Sequence, residues 1–249
     1  MARILEVCID SLASARSAIR GGADRLELCS ALALGGLTPH TALLQQIRAE
    51  SNIPVRCLMR PRSGDFLYSA DEIDLMVHQI LEFKAAGANG FVIGCLRSNG
   101  ELDCNAMKPL IDAADGSSLT LHRCIDVSAD PIKTYLDAAS LGIDTVLTSG
   151  AASSCINGID TLRSLLRLRD EIKGPEVLIG AGVSAANIGY LLDSLPGAHA
   201  FHASCKELIE SNMRFRRADI PMGLPGLDEW HIQQTDPEQV RALKEAIST

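Results

Sequence analysis

The stretch from residue 22 to residue 29 reads Gly22-Ala23-Asp24-Arg25-Leu26-Glu27-Leu28-Cys29, in which a helix-ending glycine leads at once into an apolar strand. The first three residues of this stretch, Gly22-Ala23-Asp24, have counterparts at Gly87-Ala88-Asn89, Gly142-Ile143-Asp144 and Gly197-Ala198-His199. The four glycines are spaced 65, 55 and 55 residues apart. Four successive units, each with two strands and two helices, predict a (β/α)8 TIM barrel; an open doubly wound sheet is the alternative.

Short apolar runs separated by helix signals predict the individual elements. Helices are predicted to begin at Thr38-Pro39, Asp130-Pro131 and Asp236-Pro237, where an N-cap residue precedes proline, and at Ser69, which forms a capping box with Glu72. The predicted strands are Ile4 to Ile9, Arg25 to Cys29, Val55 to Met59, Gly90 to Ile93, Leu119 to His122, Thr145 to Leu147, Val177 to Ile179, and Ala200 to Ala203.

The length and composition favour one domain over residues 1–249. The chain has a mass of 26.6 kDa and is 47 % hydrophobic, which suits a single barrel with a large core. Only the stretch from about residue 206 to 235 interrupts the alternation. We interpret it as a functional or interface loop after the eighth strand, because it is long and carries Trp230 and the basic cluster at 214–217.

The net charge and the N-terminal sequence indicate which partners and which location to expect. The formal net charge is −8 and no basic tract is present, so we expect no nucleic acid and no membrane surface as a partner. The N-terminus lacks a signal-peptide core and no apolar run is long enough to span a bilayer, which predicts a cytoplasmic protein. Its eight cysteines would then be reduced thiols.

Polar residues inside the predicted strands indicate a site in the barrel interior. The outer strand face packs on helices and is apolar, so a polar strand residue must point inward or lie at a strand end. The first two strands both contain Glu-x-Cys, which places Cys8 and Cys29 inside and allows them to lie side by side. The other ionisable residues assigned to the interior are Glu6, Glu27, Arg56, Arg60, His122 and His202.

The carboxyl ends of the strands carry further candidates for ligand binding. Arg60, Arg62 and Asp65 follow the third strand, and Asp126 follows the fifth. Glycine turns after the sixth and seventh strands could hold a phosphate or carboxylate on backbone N–H groups. The residues of those turns are Ser149, Gly150, Gly180 and Gly182.

Seven ordered motifs resemble those of the CutC family, over residues 4 to about 217. The motifs are Glu6-Val7-Cys8-Ile9-Asp10, Gly22 through Cys29, Gly35-Gly36-Leu37-Thr38-Pro39, Met59 through Ser69, Leu121 through Asp126, Leu147-Thr148-Ser149-Gly150, and Gly180-Ala181-Gly182-Val183. The resemblance implies a TIM-type barrel, a cytoplasmic homo-oligomer, either a homodimer or a homotetramer, and a role in copper homeostasis. It further implies that Cys8 and Cys29 bind copper(I).

Two functions remain open from the sequence. The first is a homeostasis protein that binds a copper ion as Cu(I) through interior thiolates, which are soft ligands. The second is an enzyme for a small anionic or phosphorylated metabolite at the barrel mouth. In that enzyme Arg60, Arg62 and backbone amides would hold the anion, Glu27 or His122 would move a proton, and Asp126 would belong to the same catalytic group. A Schiff-base aldolase is disfavoured, because no predicted strand contains a lysine.

Overall fold

The computed structural model describes residues 3–217, 220, 222–223, 226 and 229–248. Eight parallel strands close into a barrel in sequence order, with β1 pairing both β2 and β8. The predicted (β/α)8 barrel is thereby confirmed, and the open sheet is excluded. The barrel strands are β1 Ile4–Ile9, β2 Arg25–Leu28, β3 Val55–Leu58, β4 Gly90–Ile93, β5 Ser118–Leu121, β6 Thr145–Thr148, β7 Glu176–Ile179 and β8 Ala200–Ala203.

The helices lie between the strands and cover the outside of the barrel. Three of the four helix-ending glycines, Gly22, Gly87 and Gly142, adopt the left-handed conformation with φ of 90°, 91° and 74°. This conformation ends a helix without the steric cost that a Cβ would impose. The helices are α1 Leu12–Gly21, α2 Thr41–Glu50, α3 Ala70–Ala85, α4 Cys104–Ala114, α5 Pro131–Ser140, α6 Ile159–Ile172, α7 Ile188–Ser194 and α8 Pro237–Ser248, with 3-10 turns at Leu32–Leu34 and Arg123–Val127.

Three of the four predicted helix starts are confirmed, and the start at Thr38-Pro39 is wrong. Helix α2 begins at Thr41, with His40 as its N-cap residue. Thr38 is used elsewhere: its hydroxyl accepts the N–H of Arg60 at 2.9 Å, and its own N–H donates to the carbonyl of Arg60. A tertiary hydrogen bond thus occupies the side chain of Thr38, which the local sequence predicts to be a helix cap.

The register of β1 against its neighbours determines which polar side chains meet in the interior. Glu6 is the direct partner of Arg25 on one side and of His202 on the other. Cys8 is opposite Glu27, so the expectation that it lies directly beside Cys29 is wrong. Cys29 comes two residues later, just beyond the end of β2, where its N–H bonds to the carbonyl of Ile9.

The barrel interior below the site is closed by Arg56, which is buried as predicted. Its guanidinium donates to the hydroxyls of Thr120 and Thr145 at 2.5 and 3.0 Å, and to Ser118 at 2.9 Å. Burial is the main cause that lowers the pKa of Arg56 to about 10. The cross-barrel hydrogen bonds connect β3 with β5 and β6 and leave the open cavity at the other end.

The segment predicted to be a loop after the eighth strand contains regular structure at both ends. Strands β9, Lys206–Glu210, and β10, His231–Thr235, pair antiparallel outside the barrel. Arg216 lies over the ring of Trp230 at 5.4 Å. Part of the predicted loop, at residues 218–219, 221, 224–225 and 227–228, lies outside the described residues.

Among the described helices, none combines the length and the apolar character needed to cross a membrane.

Candidate metal and ligand site in the barrel mouth

A cavity of about 270 Å³ opens at the carboxyl end of the barrel strands. Arg60 and His122 both line it, so the expectation that they share one end of the barrel is confirmed. The sequence-predicted residues that line it are Cys8, Glu27, Cys29, Arg60, His122, Gly182 and His202. Those that do not are Arg62, Asp65, Asp126, Ser149, Gly150 and Gly180.

Three side chains at the base of the cavity form a cluster suited to a metal ion. Cys8 on β1, Glu27 on β2 and His202 on β8 each offer one ligand atom, and these atoms lie within 4.8 Å of one another. Strands β8, β1 and β2 are neighbours in the closed barrel, and the three residues face inward because the strands alternate. We call Cys8, Glu27 and His202 the base cluster.

His202 is held between two carboxylates. Its Nδ1 lies 2.9 Å from Oε1 of Glu6, and its Nε2 lies 3.5 Å from Oε2 of Glu27. Burial alone would lower the pKa of His202, but the charges of Glu27 and Cys8 and hydrogen bonds to Cys8 and Glu6 raise it well above its ordinary value. These contacts fix the orientation of the imidazole, as carboxylates hydrogen-bonded to histidine ligands do in metal proteins.

Glu6 is fully buried and supports the base cluster from below. It forms an ion pair with Arg25 as well as the contact with His202. Burial favours the neutral acid, but the charge of Arg25 and the hydrogen bond with His202 hold the pKa of Glu6 down at about 2. Glu6 therefore remains ionised at neutral pH.

Cys29 lies at the edge of the base cluster. Its Sγ lies 3.5 Å from Oε2 of Glu27, at hydrogen-bonding distance for a thiol donor. Burial, together with the negative charges of Glu27 and Cys8, raises the pKa of Cys29 well above its ordinary value. Burial also raises the pKa of Glu27, with the charge of His202 opposing it. A thiol proton and a carboxylate that can accept it are therefore adjacent.

Arg60 forms part of the opposite wall and also organises the loops around it. Its terminal nitrogens donate to the carbonyls of Leu34, Gly36 and Gly64 at 3.1, 2.9 and 2.9 Å. The guanidinium also lies over the ring of Phe66, 5.1 Å from its centroid. Arg60 thus connects the turn after β2 to the loop after β3.

His122 lies on the other side of Phe66, with ring centroids 4.7 Å apart. Its Nδ1 accepts the backbone N–H of Cys124 at 3.1 Å. Burial, with a smaller effect from the charge of Arg60, lowers the pKa of His122 to about 3. His122 is therefore a neutral imidazole at physiological pH, unlike His202.

Asp126, Ser149 and Gly150 form a structural turn beside the cavity. The Asp126 carboxylate accepts the Thr148 hydroxyl at 2.5 Å and the N–H groups of Ser149 and Ala151 at 3.0 and 3.1 Å. It also pairs with Arg123. The Ser149 hydroxyl donates to a backbone carbonyl, and the Gly150 N–H bonds to Thr148. These groups satisfy one another's hydrogen bonds, so the Asp126 carboxylate has little remaining capacity to bind a ligand.

Arg62 and Asp65 lie on the outer surface of the loop after β3. Arg62 pairs with Glu72 and Asp65 and donates to the carbonyl of Leu67 at 2.8 Å. Gly180 is buried below the cavity, where an added Cβ would meet the side chain of Leu147. Arg62 therefore anchors the loop, and Arg60 alone of the two predicted arginines reaches the cavity.

Sequence reasoning missed the ring of Phe66, the side chain of Arg123 and the apolar lining by Leu58, Leu147 and Val183. It also placed His202 among general ligand-binding residues rather than next to Cys8. Barrel closure could have indicated that His202 lies near Cys8, because the eighth strand of a closed barrel must pair with the first.

A comparison with protein families identifies the family of this chain. The model of the CutC family matches residues 3–207. The chain belongs to the CutC family. The match extends from the start of β1 to the start of β9, so it contains all eight barrel strands and the residues Cys8, Glu27, Cys29 and His202.

Individual CutC relatives are similar over nearly the whole chain. A CutC family protein of Chromobacterium violaceum is 40 % identical over 248 residues, 99 % of each chain. The human copper homeostasis protein cutC homolog is 38 % identical over 242 residues, 96 % of this chain and 87 % of the human one. The crystal structure of a CutC protein of Streptococcus agalactiae has a TM-score of 0.75 and 28 % identity, over 81 % of this chain and 98 % of the other.

Proposed function

We propose that this CutC-family protein binds Cu(I) in the barrel interior and serves copper homeostasis in the cytoplasm. The observation that carries the proposal is the base cluster, whose sulfur, nitrogen and oxygen ligand atoms lie within 4.8 Å of one another. The name of the human relative, copper homeostasis protein cutC homolog, supports the choice of metal.

The donor set fits a soft ion. Cys8 offers a sulfur and His202 an imidazole nitrogen once each has lost its proton, and both ligand types suit copper. Cys29 adds a second sulfur, 3.5 Å from Glu27. All eight cysteines are free thiols, the form in which cytoplasmic cysteines persist.

Glu27 has a distinct part in this proposal. A cysteine ligand must lose its proton when it binds a metal. When a metal ion binds, Glu27 would accept the proton of Cys29 through their existing contact, so that the Cys29 Sγ–H bond would break and a carboxylic acid O–H would form. Cys8, Cys29 and His202 would then hold the ion, whose charge would offset the cost of burying a thiolate.

The enzyme considered from the sequence has weaker support. Asp126 is occupied by the 148–151 turn, and Arg62 lies outside the cavity. Two of the groups assigned to catalysis and anion binding are therefore committed to loop structure.

The test is a competition titration of the reduced protein with Cu(I) and, separately, with Zn(II), in anaerobic buffer. Cys8→Ser and His202→Gln should each weaken Cu(I) affinity by about 10- to 100-fold, the scale of losing a ligand or its support. Cys104→Ser is the matched control, because Cys104 lies on α4 away from the cavity. Equal affinity in all four proteins, or binding of Zn(II) alone, would refute the proposal.

A further inference from the structure

The wall of the cavity opposite the base cluster contains a buried cation without a counter-ion. Arg60 is 8 % exposed, and among the described residues no carboxylate lies within ion-pair distance of it. Its three side-chain hydrogen bonds go to neutral carbonyls, and within the described part of the chain its Nε has no partner. Burying an unpaired charge is costly, so this wall favours a negative group.

A second unpartnered donor lies on the same wall. Nδ1 of His122 accepts the N–H of Cys124, so the neutral imidazole carries its proton on Nε2. That nitrogen is buried, and no described residue forms a hydrogen bond with it. Phe66 contacts both residues: its ring centroid lies 5.1 Å from the Arg60 guanidinium and 4.7 Å from the His122 ring centroid. Two orphaned N–H groups thus flank one aromatic ring.

The size and lining of the cavity indicate an organic ligand. Its volume of about 270 Å³ is several times the roughly 30 Å³ share of a water molecule. Leu58, Leu147 and Val183 provide apolar surface between the two walls. The base cluster on the far side contains the carboxylate of Glu27, which can accept a hydrogen bond from a ligand.

We propose that the cavity binds a small monocarboxylate that also carries a hydroxyl or amino group. The carboxylate accepts the Nε2–H of His122 and neutralises Arg60, and the carbon skeleton packs on Leu58 and Leu147. The hydroxyl or amino group donates to Glu27. Phe66 contacts both residues and is only partly buried, so the ligand reaches the two buried nitrogens by displacing this ring. This site requires no metal and shares Glu27 with the base cluster.

The test uses the full chain, free of metal, in reducing buffer with a chelator. Lactate, 3-hydroxybutyrate and 4-aminobutyrate are titrated to about 10 mM by calorimetry and thermal unfolding, with lactamide as the uncharged control. At least one carboxylate should raise the melting temperature, and lactamide should not.

Two variants locate the site. Arg60→Gln and His122→Asn should each weaken the responding carboxylate by about tenfold or more, because each removes a charge-assisted contact. Arg169→Gln is the matched control: Arg169 is also 8 % exposed but pairs with Asp170 and Glu176, away from the cavity. It should leave the carboxylate affinity unchanged.

Several results would overturn the inference: no response to any of the three carboxylates, an equal response to lactamide, or equal affinity in wild type and His122→Asn. The last comparison decides the matter even if Arg60→Gln does not fold, because the amide introduced by His122→Asn retains an acceptor for the N–H of Cys124. Copper binding measured separately is unaffected by these outcomes, so the two proposals fail independently.

Discussion

Nδ1 of His202 lies 2.9 Å from Oε1 of Glu6, and this contact joins β8 to β1 where the barrel closes. Because Glu6 also pairs with Arg25, Glu6→Gln leaves the partly buried guanidinium of Arg25 without this counter-ion. We expect the variant to lose about 3 kcal/mol in the free energy of unfolding, measured by urea denaturation.

Glu50→Gln is the control for that prediction. Glu50 pairs with Arg16 on the surface, where the side chains are 40 % and 51 % exposed, and the loss should stay below about 1 kcal/mol. Similar losses in the two variants would show that burial of the Glu6 pair has no energetic consequence.

Copper should stabilise the wild-type protein through the base cluster. A ligand that binds only the native state at a hundredfold excess over its Kd adds about 2.7 kcal/mol to the free energy of unfolding. The gain, measured by anaerobic thermal unfolding, should disappear in Cys8→Ser/Cys29→Ser and persist in Cys104→Ser. An identical gain in the double variant would point to adventitious binding by other thiols.

Gly94→Ala tests how tightly the wall behind His122 is packed. A Cβ at residue 94 would lie 2.5 Å from both Sγ of Cys124 and Cε1 of His122. Overpacking of this kind costs about 1–3 kcal/mol, measured by urea unfolding. Gly189→Ala on α7 is the control: apart from its chain neighbours and its own helix backbone, no described atom lies within 4 Å of the added Cβ, and we expect no loss.

His122 should make the protein sensitive to mild acid. Its folded-state pKa is about 3, below the ordinary value of 6.5, so the unfolded chain binds its proton first as the pH falls. The contribution of neutral His122 to the free energy of unfolding is therefore complete above about pH 6.5, and it decreases as the pH falls towards 3. Between pH 7 and pH 5 the wild type should lose about 2 kcal/mol through this residue.

Urea unfolding at pH 7 and pH 5 measures that difference. His122→Asn should lose less stability over this range than the wild type, by the amount attributed to His122. His78→Asn removes an imidazole that is 69 % exposed on α3 and should behave as the wild type does. If His122→Asn lost as much stability between pH 7 and pH 5 as the wild type does, His122 would not be the source of that loss.

Self-association is expected through the sheet formed by β9 and β10. Leu208 and Ile232 on these strands are 65 % and 56 % exposed, and Phe215 between the strands is 70 % exposed. Apolar and aromatic residues of this kind are typical of interfaces. Sedimentation at micromolar concentration should show a homodimer or homotetramer that Leu208→Asp/Ile232→Asp dissociates, whereas a monomeric wild type would contradict the expectation.

Local patterns in the sequence were sufficient for the architecture. Helix-ending glycines such as Gly22 and the alternation of side chains along β1 and β2 are short-range signals, because they depend on backbone conformation and a two-residue period. They placed Glu6, Cys8 and Glu27 in the interior correctly, and the strict alternation of strands and helices predicted the parallel barrel.

The arrangement of the site depended on contacts between distant parts of the chain. Barrel closure places His202 beside Glu6, and the register sets Cys8 against Glu27 instead of Cys29. Thr38 bonds to Arg60 instead of capping a helix. Register and closure are set by how eight strands pack together, and a two-residue period within one strand carries no information about them.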